Sequence, residues 1–184
     1  MFGQWSAFGK RLRSYFSAYG GVPAVIGSPI FGIAVVITAL NYSEWMTPNW
    51  VSKTEALIPS LLGFSLGTYA ILFSLISNRL KGALQKVLVR EGVSYLHAIN
   101  ATFFHFIIVQ VVALAWAFLF EGTWFRDVMN LAAPRFPFAQ EIFWWGWKIG
   151  SFMGYLLLIY SFLLMIAAAL AVYRLALIKD PSDG

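Results

Sequence analysis

Apolar residues fall in four long runs, roughly 21–40, 56–77, 98–120 and 149–172, with short polar stretches between them. About 20 apolar residues suffice to cross a bilayer as a helix. No charge falls between Glu55 and Arg79. The pattern predicts an all-α, polytopic integral membrane protein with four transmembrane helices. Ahead of the first run the rhythm differs. Phe2, Trp5, Phe8, Leu12, Tyr15, Phe16 and Tyr19 recur at mostly helical spacing, with Lys10, Arg11 and Arg13 between them. An aromatic face beside basic residues predicts an amphipathic helix lying in the membrane interface over residues 1–19; the alternative is an ordinary leader helix packed on the rest of the protein. The membrane domain then covers 20–179, and 180–184 form a tail.

Within the runs, small residues recur every three or four positions. Gly20, Ala24, Ser28 and Gly32 mark the first span. Ser60, Gly63, Gly67, Ala70 and Ser74 mark the second, continuing to Ser77, and Gly146, Gly150 and Gly154 open the fourth. Such stripes let helices approach closely in lipid. The Gly63–Gly67 pair makes the second span the expected packing seam. Three stripes exceed what a small bundle needs, which predicts a homo-oligomer; the alternative is that internal packing uses them all. Pro29 lies inside the first span and should kink it or break its first turns. The linker 41–55 is expected to be a polar connection. Residues 78–94 suggest a short basic amphipathic helix, and 121–148, rich in aromatics, should fold onto the membrane surface as short helices.

The chain has 184 residues, 60% hydrophobic and 11% charged. Soluble domains carry about 25% charge, so the composition agrees with a single membrane domain. Its net charge of +5 sorts by segment. Lys10, Arg11, Arg13, Arg79, Lys81, Lys86, Arg90, Arg174 and Lys179 lie on the terminal and 78–97 segments; Lys53, Arg126, Arg135 and Lys148 lie on the others. This split predicts both termini in the cytoplasm of a bacterial cell, with the inner membrane as location. Topology accounts for the charge, and no nucleic-acid partner is expected. Trp45, Trp50, Trp124, Trp144, Trp145 and Trp147 fall on the predicted outer side, where they suit a headgroup belt.

Candidate chemistry is sparse. No Asp, Glu, Lys or Arg lies within the four cores. Cysteine is absent, which removes disulfides, thiolate metal sites and cysteine nucleophiles. Gly63-Phe64-Ser65 lacks the second glycine of a nucleophile elbow. No cofactor, metal or catalytic set is expected, and the chain reads as a non-enzyme. Asn100, His105 and Gln110 are the polar positions of the third span. Together they are the candidate lining of a pore; His105 is either hydrogen-bonded to a neighbouring helix or has a pH-sensitive or pore-lining role. Steps of about 100° set His105 and Gln110 roughly 140° apart, which suits a single pore stripe badly. Arg79, Lys81, Lys86 and Arg90 are either topology signals or a docking face for an acidic protein or anionic lipid.

The run Ile58 to Leu75, IPSLLGFSLGTYAILFSL, is similar to a run in small four-span bacterial proteins that look like membrane subunits of antiphage defence operons, the Kiwa membrane subunits among them. The resemblance covers one helix and the topology. It implies an oligomer that senses envelope disturbance and works with a cytosolic DNA-binding partner, and it carries over no functional residue. The resulting expectation is a non-enzymatic component of a bacterial defence or stress system, sensing membrane perturbation or anchoring a cytosolic protein. The alternatives are an oligomeric channel or depolarising effector, and a small transporter.

Overall fold

A computed structural model describes residues 2–132, 134, 136 and 138–177, with Phe2 and Leu75 described by backbone alone. The predicted tail 180–184, Lys179 and Arg135 lie outside the described residues. The chain is almost wholly helical: α1 (Phe2–Tyr19), α2 (Gly21–Ile26), α3 (Pro29–Leu40), α4 (Tyr42–Trp45), α5 (Asn49–Leu75), α6 (Asn78–Lys86), a hairpin β1 (Leu88–Arg90) and β2 (Val93–Ser94), α7 (Tyr95–Glu121), α8 (Trp124–Ala132) and α9 (Ala139–Ala176). Among the described residues, three helices are long and apolar enough to cross a membrane, namely α5, α7 and α9. The protein is therefore all-α with membrane-spanning helices.

The first predicted span is not one helix. Proline has no N–H, so Pro29 cannot donate to the carbonyl of Val25. The chain turns there instead: Gly27 N–H donates to Pro23 O at 2.9 Å and Ser28 N–H to Val25 O at 3.1 Å. Helix α3 alone has 12 residues, a length of about 18 Å at 1.5 Å per residue. That is short of a hydrocarbon core of about 30 Å.

Other boundaries also moved. The polar link ends at Pro48, and α5 begins at Asn49 rather than near 56. Thr54 donates back to Trp50 O at 2.8 Å, so the turn carrying Lys53 and Glu55 is helical despite its charges. The basic helix stops at Lys86. Val87-Leu88-Val89 favours extended backbone, and Gly92, at φ +72°, closes a hairpin pairing Leu88 with Ser94. In the aromatic segment, α8 is the expected short helix. From Ala139 onward, however, the chain already belongs to α9, 38 residues long.

The chain divides into two compact units. The first comprises Met1–Gly32, Gly63–Ile108 and Leu163–Gly184; its interior holds Leu84, Leu96, Phe103, Phe106 and Leu164. The second comprises Ile33–Leu62 and Val109–Phe162. Trp50 is fully buried there, with Val51, Ile58, Ala113, Ala117, Tyr155 and Leu158. Trp50 is thus a core side chain and not part of a headgroup belt. Its indole N–H donates to Ser151 Oγ at 2.7 Å, and the Ser151 hydroxyl donates to the Trp45 carbonyl. Trp45 in turn gives its N–H to Thr38 O at 2.9 Å. The relay ties α3, α4 and α5 to α9, about 100 residues further along the chain.

The glycines of α9 explain how an indole fits. A Cβ on Gly154 would stand 2.1 Å from the Trp50 ring, one on Gly146 2.8 Å from Phe125, and one on Gly150 3.2 Å from Phe120. The stripe is a groove for aromatic rings. The stripe on α5 behaves otherwise. Ser60, Gly63, Gly67, Ala70 and Ser74 are all exposed, and nothing lies within 4 Å of a Cβ on Gly63 or Gly67. The face of α5 that packs within the chain carries Val51, Thr54, Ile58 and Ser65 instead. The expected seam is therefore not where the helices of one chain meet.

Candidate functional site

The first unit brings α1 onto the middle of α7. The front of α1 stays open, with Trp5 75% and Phe8 59% exposed; Lys10, Arg11 and Arg13 are exposed as well. The last turns pack. Ala18 is buried and Tyr15, Phe16 and Tyr19 are half-buried. One amphipathic face is thus divided along its length, its first half free and its second half docked.

His105 is the point of docking. Tyr15 Oη lies 2.7 Å from His105 Nδ1. The Tyr19 ring stacks on the imidazole at 4.0 Å between centroids and 19° between planes. Phe104 meets Tyr15 edge-on at 4.8 Å. Burial, with the neighbouring Tyr19 phenol, pushes the Tyr15 hydroxyl up to about 12. Tyr15 therefore stays protonated, and it shares with His105 one hydrogen bond whose direction follows the imidazole tautomer. A hydrogen bond and a stacked ring hold one side chain of α7 against two of α1.

A second clasp closes the carbonyl end of α1. The guanidinium of Arg90, from β1, donates to Ser17 O at 3.1 Å and to the Ala18 carbonyl. The last carbonyls of a helix lack intrahelical donors and carry its negative dipole end, so a cation there is doubly favourable. Gly20 makes room for it. Its φ is +121°, and a Cβ would stand 2.9 Å from Arg90 Nη1 and 2.7 Å from Ala24 Cβ. Gly20 and Ala24, two members of the first small-residue stripe, serve this corner. Ser28 belongs to the Pro29 turn, and Gly32 has open space beside it.

The predicted sites sort as follows. Asn100 accepts from the Tyr69 hydroxyl at 3.0 Å through Oδ1, and His105 is bound by Tyr15; both lie in the first unit. Gln110 is fully buried in the second. Asn100 and His105 therefore each spend a polar atom on a partner within the protein. Of the four docking candidates, Arg90 is engaged by α1. Arg79, Lys81 and Lys86 stand on α6, where among the described residues they form no ion pair. Sequence reasoning missed Tyr15, Tyr19 and Tyr69 as partners. The available signal was two tyrosines four residues apart in α1 and a histidine isolated in an apolar span. Among the described residues no three His, Cys, Asp or Glu side chains converge as a metal site. No family model, curated protein or solved structure matches the chain.

Proposed function

We propose that this chain is a non-enzymatic membrane sensor, in which α1 reads the state of the bilayer surface and passes it to α7 through Tyr15 and His105. The observation that carries this reading is the division of α1. Its exposed aromatic and basic half is built to lie at a lipid surface. Its other half is fixed to a buried histidine of a long apolar helix. Any change in the bilayer that pulls on Trp5 and Phe8 acts on the Tyr15–His105 bond. A sensor needs differential interaction with two states of its stimulus, and an interfacial helix has it, because its burial depends on lipid packing.

The broken α2–α3 segment serves as a fourth, interrupted pass. Both termini face the cytoplasm of a bacterial inner membrane. In support, among the described residues eight Lys and Arg side chains fall in the first unit and three in the second. The open stripe of α5 is available to a second copy, and Arg79, Lys81 and Lys86 to an acidic cytosolic partner. The resemblance of Ile58–Leu75 to defence subunits supports a role in a defence or stress system.

The absence of cysteine allows a clean test. Single cysteines replacing Phe8 on α1 and His97 on α7 carry an environment-sensitive fluorophore in proteoliposomes, and hypo-osmotic swelling raises lateral tension. Both labels should respond in the wild type. In a Tyr15→Phe background the α7 response should fall by at least half while the α1 response persists. An α1 label indifferent to tension, or an α7 label that responds equally without the Tyr15 hydroxyl, overturns the proposal.

A further inference from the structure

A second feature lies entirely in the other unit. A cavity of about 610 Å³ opens beside the carbonyl end of α7, between residues of α5, α7, α8 and α9. That size lies within the range of about 300–1,000 Å³ typical of ligand sites. Its walls include Trp116, Trp124 and Trp147. Three charged side chains also line it: Glu55, Glu121 and Arg126. Among the described residues none of the three is in an ion pair; the pair in this unit joins Lys53 to Glu44 instead.

We infer that this cavity holds the zwitterionic headgroup of a glycerophospholipid. Several groups in the lining suit an ammonium group. Glu55 and Glu121 supply two carboxylates. The carbonyl end of α7 adds the negative end of a 27-residue helix. Pro59, inside α5, has no N–H to give the Glu55 carbonyl, which leaves that oxygen without its helical donor. Indole faces attract cations as well. The other charge is Arg126, whose guanidinium fork matches a phosphate.

Elimination leads to the same ligand. A simple cation leaves Arg126 against a like charge. A simple anion meets two carboxylates. A phosphate linked by two carbons to an ammonium meets both signs of charge in the cavity, the two carboxylates sharing one ammonium. The apolar walls then receive the glycerol backbone and the first methylenes of the chains. This inference does not depend on the sensing proposal; it requires only that the chain sits in a bilayer.

Native mass spectrometry of the delipidated full chain tests it. The protein is titrated with phosphatidylethanolamine or with phosphatidylglycerol of identical acyl chains. The wild type should retain phosphatidylethanolamine about tenfold better, the scale of one hydrogen bond to a charged group. Glu55→Gln with Glu121→Gln should abolish that preference, and Arg126→Gln should weaken phosphatidylethanolamine retention about tenfold. Elution volume and tryptophan emission check the fold of each variant. The wild-type comparison decides without them: equal retention, or preference for phosphatidylglycerol, overturns the inference. So does an unchanged preference in the folded double variant. Displacement of phosphatidylethanolamine by equimolar tetraphenylphosphonium would overturn it too, in favour of a simple cation.

Discussion

Tyr15 and Gly154 show how much single atoms decide here. Removing the Tyr15 hydroxyl leaves a buried histidine nitrogen without that partner, at a cost of about 1 kcal/mol. Tyr15→Phe should therefore raise hydrogen exchange of the α1 amides several-fold while leaving α9 protected. The pH dependence has a defined sign. The folded hydroxyl sits near 12, above its ordinary value of 10.0, so its contribution is fully present below pH 10 and is lost as pH rises from 10 towards 12. In an absorbance titration at 295 nm, Tyr15→Phe should lose one late-ionising tyrosine relative to the wild type. Gly154→Ala drives a methyl into the Trp50 ring, an overpacking cost of about 1–3 kcal/mol, readable as a lower thermal midpoint in detergent. Ser151→Ala strands the Trp50 N–H and should cost a similar amount, about 1–3 kcal/mol.

At the scale of elements, the two glycine stripes call for opposite outcomes. Gly63→Ala meets open space and removes backbone freedom, so a single chain should keep or gain up to about 1 kcal/mol. If copies pack along α5, the same change should weaken the oligomer, visible by crosslinking, while Gly154→Ala lowers stability whatever the oligomeric state. Spacing showed both stripes in the sequence. It did not show what fills them, because on α9 the filler is an aromatic ring rather than a helix backbone. The Pro29 break was likewise legible, since a missing N–H acts locally. The start of α5 was not, because Lys53 and Glu55 resemble a linker until Trp50, Thr54 and Ile58 are seen four residues apart on one buried face. His105 and Asn100 stood out as polar groups in an apolar run. Their partners lie 90 and 31 residues away, and no local pattern encodes such a distance.

For the whole molecule, the division into two units parallels the division of charge. Single cysteines at Gln85 and Gln140, both exposed, should react with a membrane-impermeant maleimide from opposite sides of the inner membrane, Gln85 from the cytoplasm. Labelling of both from one side would refute the arrangement with both termini inside. The expectation of an all-α membrane protein was secure because composition and run length act on the whole chain. The two-part interior was less visible: each unit gathers segments from three or two separate stretches of sequence.

The Arg90 clasp also has a consequence for the order in which the protein is made. Its guanidinium closes a helix that ended 72 residues earlier, and His105 arrives later still. At roughly 5–20 residues per second, α1 leaves the ribosome several seconds before either fastener exists. During that interval α1 can pack only on segments already made, such as the neighbouring α2. Both fasteners are nonetheless made before α8 and α9, so α1 can be fixed while the last long helix is still being synthesised.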